Sequence, residues 1–309
     1  MILSKKEPGK YKAFPTVVKA GNDIIVAFRE GFVDAEKPHG RGGRVKILKS
    51  SDLINWQEFE TPFCDNELDA ILSGPFGYNL ILVTRSYEHG VRNDVYISVF
   101  SANGLPDKRR RVEVDGVKLS AFFGHAFMLD GELIATAYGD NNGIQMPLLL
   151  ASSDFGGIWK IKSFIAPKEF RPLLNEASVL NIGDKFMAIM RSREPSYDLY
   201  YSFSRNLFEW EEPKEIGLLG HAPVARRLLD GRIAFVFRDL KGDLPGVSIA
   251  ISNDGINFER VSVCHYTGDL YNGGYGDFVE ISPKTLFVVY YTCDRDNEPW
   301  IEARVVDLQ

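Results

Sequence analysis

A short turn of the form Ser-x-Asp/Asn recurs along this chain at a nearly constant interval, beginning at Ser50, Ser101, Ser152, Ser204 and Ser252. The spacings are 51, 51, 52 and 48 residues. Between the turns lie short apolar runs bounded by turn residues, the pattern of strands rather than helices. A strand-based period near 50 residues constrains the fold to a β-propeller, in which each repeat is one small sheet stacked on its neighbours. The 309 residues hold six such repeats. The chain therefore reads as all-β and as a single domain over 1–309: a six-bladed β-propeller with four-stranded antiparallel blades. A five-bladed ring would leave one strand pair without a place, and a β-sandwich with a second domain would need a linker that interrupts the period.

Aligned by the turns, the first two strands of the repeats cover 14–18 with 23–29, 69–73 with 80–85, 125–129 with 132–138, 176–180 with 186–191, 221–229 with 232–238, and 277–281 with 285–291. Tight connections such as Asp130-Gly131 and Asp230-Gly231 supply the left-handed residues that hairpins need. The strands are almost continuously apolar, as expected where both faces of a sheet are covered. Third strands follow at 45–50, 95–101, 148–153, 199–204, 247–252 and 300–306. The last of these runs into the C-terminus, so the sixth blade lacks a fourth strand. The apolar start Met1-Ile2-Leu3 has no partner in the first repeat. It is expected to join the C-terminal blade, closing the ring and hiding two sheet edges.

Composition excludes several function classes. The net charge of −6 opposes nucleic-acid binding, which calls for a basic face. The one basic run, Lys108-Arg109-Arg110-Arg111, reads as a solvated outer hairpin. Three cysteines without a CxxC pairing make neither a disulfide framework nor a cysteine zinc site. No metal-ligand spacing stands out, so no metal or cofactor is expected. The N-terminus carries no apolar run behind its charges, which places the protein in the cytoplasm as an expectation. No 18-residue apolar stretch is present to span a membrane. Nothing in the sequence specifies an oligomeric state.

The repeat brings equivalent positions together around an axis. First strands open with Phe14, Asp69, His125, Glu176, His221 and Asp277, and second strands end with Arg29, Arg85, Tyr138, Arg191, Arg238 and Tyr291. His39 and His89 follow the second strands of the first two blades. So many polar groups in one register point to a pocket. Its arginines suit an anionic ligand, because a guanidinium presents a fixed fork of donors that matches a carboxylate.

The turn Ser152-Ser153-Asp154-Phe155-Gly156-Gly157-Ile158-Trp159 fits Ser-x-Asp-x-Gly-x-x-Trp and resembles the Asp-box of the sialidase-like superfamily. The turns at Ser50, Ser204 and Ser252 are similar with one residue fewer. Short Ser-Asp-Leu-x-x-Trp turns also resemble those of five-bladed glycosidases acting on arabinan, xylan or fructan. The likeness covers nearly the whole chain and implies sugar chemistry. Glu176 and Arg191 resemble the superfamily's paired glutamate and second arginine, fifteen residues apart. Tyr275 is similar to its nucleophilic tyrosine, with Tyr271 as the fallback. The loop that carries the acid/base aspartate corresponds to Lys37-Pro38-His39-Gly40-Arg41, which offers His39 or the more distant Asp34. The chain departs from the family where Ala13-Phe14-Pro15 replaces Arg-Ile-Pro, and where Pro245-Gly246-Val247 stands near the third arginine's place. The implied function is a glycoside hydrolase acting on an acidic or modified sugar rather than a sialidase in the strict sense. Glu176, Tyr275, His39 and Asp34 are its candidate catalytic groups. Arg29, Asp69, Arg85, His125, Tyr138, Arg191, His221, Arg238 and Asp277 are its candidate ligand-binding groups. The alternatives are a polysaccharide lyase acting on a uronate with His, Tyr and Arg, and a non-catalytic glycan-binding propeller. In each the partner is a carbohydrate, and an anionic glycan is expected.

Overall fold

A computed structural model describes residues 1–37, 39–88, 92–193 and 196–309. Runs such as Ile24-Ile25-Val26-Ala27-Phe28 lack polar alternation, so both faces of the strand they form need cover. In the structure every residue from Ile24 to Gly31 is buried. Strand β1 (Ile2–Ser4) precedes the first repeat. The repeats then run through β2 (Lys10–Ala20), β3 (Asp23–Phe32), β4 (Arg41–Ser50) and β5 (Gln57–Glu60); β6 (Glu67–Phe76), β7 (Asn79–Glu88), β8 (Arg92–Ser101) and β9 (Arg110–Arg111). Next come β10 (Lys118–Phe122), β11 (Phe127–Leu129), β12 (Glu132–Asn141), β13 (Ile144–Ser152) and β14 (Lys160–Phe164); β15 (Leu174–Asn181), β16 (Phe186–Ser192), β17 (Asp198–Ser204) and β18 (Lys214–Arg227). The chain finishes with β19 (Ile233–Asp239), β20 (Gly246–Ser252), β21 (Glu259–His265), β22 (Gly276–Ser282), β23 (Thr285–Thr292) and β24 (Trp300–Asp307). A single 3-10 turn, Leu270–Asn272, is the only helical element among the described residues. No helix among them is long and apolar enough to cross a membrane.

The chain divides into two compact units. The first comprises Met1–Arg111, Leu244–Val247 and Val263–Gln309, and the second Val112–Asp243 with Ser248–Ser262. In the first unit, β2-β3-β4-β5, β6-β7-β8-β9 and β1-β24-β23-β22 are four-stranded sheets. The expected placement of the N-terminus is observed: Ile2 pairs with Glu302 on β24, antiparallel. Two cores are seen among the described residues of this unit. One gathers Phe28, Phe287, Tyr291 and their neighbours, with Trp56 of the first Ser-x-Asp turn stacked on Phe287 at 5.7 Å. The other is built from Ile25, Ile47, Leu72 and Leu82.

The second unit holds the sheet β10-β12-β13-β14, with β11 also on β12, and the seven-stranded sheet β15 to β21 apart from the first two residues of β20 and the last three of β21. Six repeats appear as five sheets because β18 is shared. Its Lys214, Glu215 and Leu219 pair with β17, whereas Gly220 to Arg227 pair with β19. Trp210 packs against one core of this unit and Phe258 against another. Indole Nε1 of Trp210 donates to Ser163 at 3.1 Å.

The Ser-x-Asp/Asn turns form by local bonding. Asp52 Oδ1 accepts from the amides of Ile54 and Asn55 at 2.9 and 2.8 Å. Asp254 Oδ1 does the same for Ile256 and Asn257, both at 2.8 Å. Glycine is expected at the left-handed position, but Leu53, Phe155 and Leu207 adopt it with φ of 62°, 59° and 63°. Leu207 is fully buried, and burial of its side chain offsets the conformational cost.

Two local expectations are corrected. The third repeat does not begin its first strand at 125. That strand is split into β10 and β11, and the break carries Gly124 at φ +69°, closely packed on Ser178. The basic run is not wholly solvated either. Arg109 turns inward and bonds Glu67, which is fully buried, at 2.5 Å and Thr84 at 3.0 Å, with its guanidinium 4.0 Å from the Tyr96 ring centroid. Arg110 remains exposed, and Arg111 pairs with Asp94.

Candidate functional site

The first strands of three repeats carry a bulge at the same place. Pairing slips between Ala13 and Thr16, between Asn175 and Ser178, and between His221 and Val224. Inside each slip one residue is left-handed: Phe14 (φ 55°), Glu176 (φ 43°) and Ala222 (φ 54°). For a residue with a Cβ this conformation costs roughly 1–2 kcal/mol, and bulges of this kind re-aim a side chain beside functional sites. The residue just before each bulge faces an arginine across the ladder: Ala13 with Arg29, Asn175 with Arg191, and His221 with Arg238. Asp69 faces Arg85 in the same way. The sequence register thus merged two positions. Asp69 and His221 are ladder partners of an arginine, whereas Phe14 and Glu176 occupy the bulge itself. A proline after Phe14 and after Ala222 (Pro15, Pro223) is the signal that could have shown this, since proline inside a sheet is confined to edges and bulges.

In the first unit, Arg29 is 1% exposed. Its Nε donates to Glu67 O at 2.7 Å, its Nη2 to Gly42 O at 2.6 Å and its Nη1 to His39 O. Burial pushes its pKa down to about 10, with Tyr11 and Asp69 opposing. Arg29 is therefore a brace for the loop that carries His39. Asp277 is a brace as well: it is buried and accepts from Thr16 Oγ1 (2.9 Å), Val17 N (2.7 Å) and Phe278 N (2.7 Å). Asp69 and Arg85 form an ion pair at 2.7 Å. The His39 ring lies edge-on to Phe14 at 5.2 Å, and its Nδ1 is 3.4 Å from the Tyr11 hydroxyl, which also donates to Asn272 at 2.9 Å. Tyr275 is half-buried, with its ring 5.6 Å from Phe14 and 6.3 Å from Tyr291. Tyr271 lies on the 3-10 turn, and its carbonyl accepts from the Tyr291 hydroxyl at 3.1 Å. Asp34 caps its own turn through Glu36 N at 2.9 Å, with Arg41 at 3.7 Å. His89 lies outside the described residues.

In the second unit, Glu176 Oε2 accepts from Arg191 Nη1 at 3.0 Å, and both side chains are largely buried. His221 is fully buried, with Arg238 Nη1 3.2 Å from its Nδ1 and the Tyr197 ring at 5.2 Å. A guanidinium only donates, so Nδ1 is the acceptor and Nε2 carries the proton. Burial, then Arg191 and Arg238, push the imidazole down to about 2, so it is neutral at any ordinary pH. His125 does not share the register of His221. It falls between β10 and β11, and Arg226 Nη2 lies 2.7 Å from its Nε2. Tyr138 is half-buried opposite Ala121. Asn175, just before the bulge, bonds Gln145 at 3.2 Å. Arg226, Tyr197 and Gln145 were not anticipated, because each lies away from the inner ends of the aligned strands.

Among the described residues no group of three or more His, Cys, Asp or Glu side chains is placed to hold a metal ion. The thiols are dispersed: Cys64 is exposed and Cys293 buried, and burial pushes Cys264 up to about 11.

No protein-family model matches the sequence, and no curated protein matches it. Solved structures do resemble it. A protein of unknown function from Dyadobacter fermentans superposes with a TM-score of 0.84 at 17% identity, over 100% of this chain and 99% of its own. The Trypanosoma rangeli sialidase in complex with the inhibitor DANA gives 0.72 at 14% identity, over 98% of this chain and 59% of its own. The Penicillium chrysogenum alpha-L-arabinanase complexed with arabinobiose gives 0.71 at 13% identity, over 99% of this chain and 97% of its own. With its antiparallel sheets, its terminal strand β1 on β24 and these likenesses, the chain has the fold of the sialidase-like β-propellers.

Proposed function

We propose that this protein is a carbohydrate-active enzyme, a glycoside hydrolase acting on an acidic or modified sugar. The observation that carries this is Glu176, a largely buried carboxylate on a left-handed bulge, held by Arg191 at 3.0 Å. A carboxylate re-aimed by a bulge is placed to accept a proton or hydrogen bond from a ligand, and the guanidinium beside it matches an acidic group. The Trypanosoma sialidase binds sialic acid in one of its structures and the Penicillium arabinanase binds arabinobiose, which supports a sugar ligand here. In this reading the six repeats are blades of one closed propeller, its Ser-x-Asp/Asn turns are Asp-boxes, and β1 completes the last blade.

By resemblance, Tyr275 is the nucleophile, Glu176 the base, and His39 or Asp34 the proton donor. A neutral phenol suits a cationic anomeric centre that carries a carboxylate, which would repel a charged nucleophile. The test is release of reducing sugar from a panel of glycans. Glu176→Gln and Tyr275→Phe are each expected to abolish turnover in a protein that remains folded, and full activity in both variants overturns the assignment.

A polysaccharide lyase is less well supported, because His125 and His221 each face a guanidinium that occupies the lone pair a base would need. A non-catalytic glycan-binding protein is the second reading, favoured by the inward engagement of Arg29 and Asp277. Sugar binding without any turnover would select it.

A further inference from the structure

The bulge at Phe14 presents a residue that its backbone does not favour. A left-handed bulge is easiest for glycine, and of the two equivalent places in the second unit one holds Ala222, the smallest chiral alternative, and the other Glu176. A phenylalanine at this place needs a reason beyond the backbone. Its ring is set among three others: His39 at 5.2 Å and 71°, Tyr275 at 5.6 Å and 69°, and Tyr291 at 5.3 Å and 58°. Tyr291 and Tyr11 are buried, while Phe14, His39 and Tyr275 are half-buried, so these three are the members of the cluster that keep some exposure. Polar groups border it, with the Tyr11 hydroxyl bonded to Asn272 and the Tyr291 hydroxyl bonded to Tyr271 O.

Charge is not what this surface offers. Arg29, paired across from Ala13, gives its donors to the carbonyls of Glu67, His39 and Gly42. Arg85 is held by Asp69. What remains is an aromatic face with hydrogen-bonding groups at its edge, the combination that holds one apolar side of a ligand while its polar rim stays solvated.

We propose that Phe14, flanked by Tyr275 and His39, is a stacking surface for the C–H face of a saturated sugar ring. This deepens the carbohydrate reading and rests on it. Such a face is apolar whether or not the sugar bears a carboxylate, so the surface grips the ring and leaves recognition of any acidic group to other residues. Tyr275 would then touch the ring whose bond it is proposed to attack, and Phe14 would fix that ring's tilt.

The test measures binding of arabinobiose, lactose, 3′-sialyllactose and digalacturonate to the wild type, Phe14→Ala, Phe14→Leu and Phe14→Trp. Calorimetry gives the affinity, and saturation-transfer NMR gives the ligand protons in contact. At least one sugar is expected to bind the wild type, with saturation concentrated on the C–H protons of one ring. Phe14→Ala and Phe14→Leu should weaken it by about tenfold or more, equivalent to about 1.4 kcal/mol, while Phe14→Trp stays within about threefold. Leucine keeps apolar bulk, so a folded Phe14→Leu protein decides the matter even if the alanine variant does not fold. Unchanged affinity in Phe14→Leu overturns the stacking surface and leaves the carbohydrate reading standing. Failure of all four sugars to bind the wild type overturns both.

Discussion

Replacing Arg29 by methionine separates a structural brace from a ligand-binding arginine. Methionine keeps much of the apolar stem and removes every donor. Three bonds are lost, to Glu67 O, Gly42 O and His39 O. Hydrogen bonds from charged donors contribute about 1.5–3 kcal/mol each, so the three together cannot exceed about 9 kcal/mol. Two effects reduce that figure. The guanidinium itself is costly to bury, as its pKa of about 10 records, and the variant no longer bears that cost. Gly42 and His39 are half-buried, so water can replace the donor at their carbonyls, whereas Glu67 is fully buried and its carbonyl is harder to hydrate. The expected net loss is about 3–5 kcal/mol, the range seen when one member of a buried charged interaction is removed. At an unfolding entropy of about 2.1 cal/mol/K per residue, 309 residues give about 1.5 °C per kcal/mol, so the unfolding temperature falls by roughly 5–8 °C. Urea unfolding followed by tryptophan fluorescence reads the midpoint, and calorimetry with the sugar panel reads affinity. Arg29→Lys, with one compact ammonium in place of a three-way fork, should recover less than half of the loss. A midpoint within about 0.5 kcal/mol of the wild type, together with lost sugar affinity, would refute the brace and return Arg29 to the ligand.

Arg109→Met should cost about 3–5 kcal/mol, because it leaves Glu67 buried without its guanidinium. Burial already raises the Glu67 pKa against the pull of Arg109. A carboxyl raised in the folded state favours folding on the acid side and loses that contribution as pH rises. The variant should therefore recover stability between pH 7 and pH 5, measured by thermal unfolding, and a flat profile would count against the pair. Asp52 and Asp254 behave in the opposite sense. Backbone amides of Asn55 and Asn257 lead the groups that hold them well below the usual carboxylate range. Their contribution is complete above the unfolded value of about 3.9 and is lost as pH falls through the folded value. Acid unfolding of the Asp52→Asn/Asp254→Asn double variant should accordingly be shallower than that of the wild type below about pH 4.

The architecture was legible in the sequence because it rests on local, repeated chemistry. A Ser-x-Asp/Asn turn is closed by its own side chains and amides, so each occurrence declares itself without long-range information. The pairing of Met1-Ile2-Leu3 with the last blade could be inferred because an unpaired edge is costly and only one strand was left over. The site was less legible, and for a definite reason. A bulge adds one residue to a strand and leaves composition unchanged, so aligning apolar runs cannot tell Ala13 from Phe14 or His221 from Ala222. His125 failed in the same way, because Gly124 interrupts a strand that looks continuous in hydropathy. Arg29 had the right register but an inward role, and no pattern in the sequence states whether a guanidinium will find a ligand or three carbonyls.

The bulge separates two demands that a sheet would otherwise impose on one residue. In a regular strand every inner position must both complete the ladder and choose a face, and a period of two ties the one to the other. At Ala13, Asn175 and His221 the ladder demand is met, each facing an arginine whose own contacts are internal at Arg29 and include Glu176 at Arg191. The next residue is thereby released from pairing and held left-handed, and its side chain can be chosen for chemistry alone. One backbone device then carries an aromatic ring at Phe14, a carboxylate at Glu176 and almost nothing at Ala222. The arginines stabilise the device and the bulge residues give it content. That division predicts different losses. Changing Arg29 should act first on stability, and changing Phe14 or Glu176 should act first on ligand affinity or turnover.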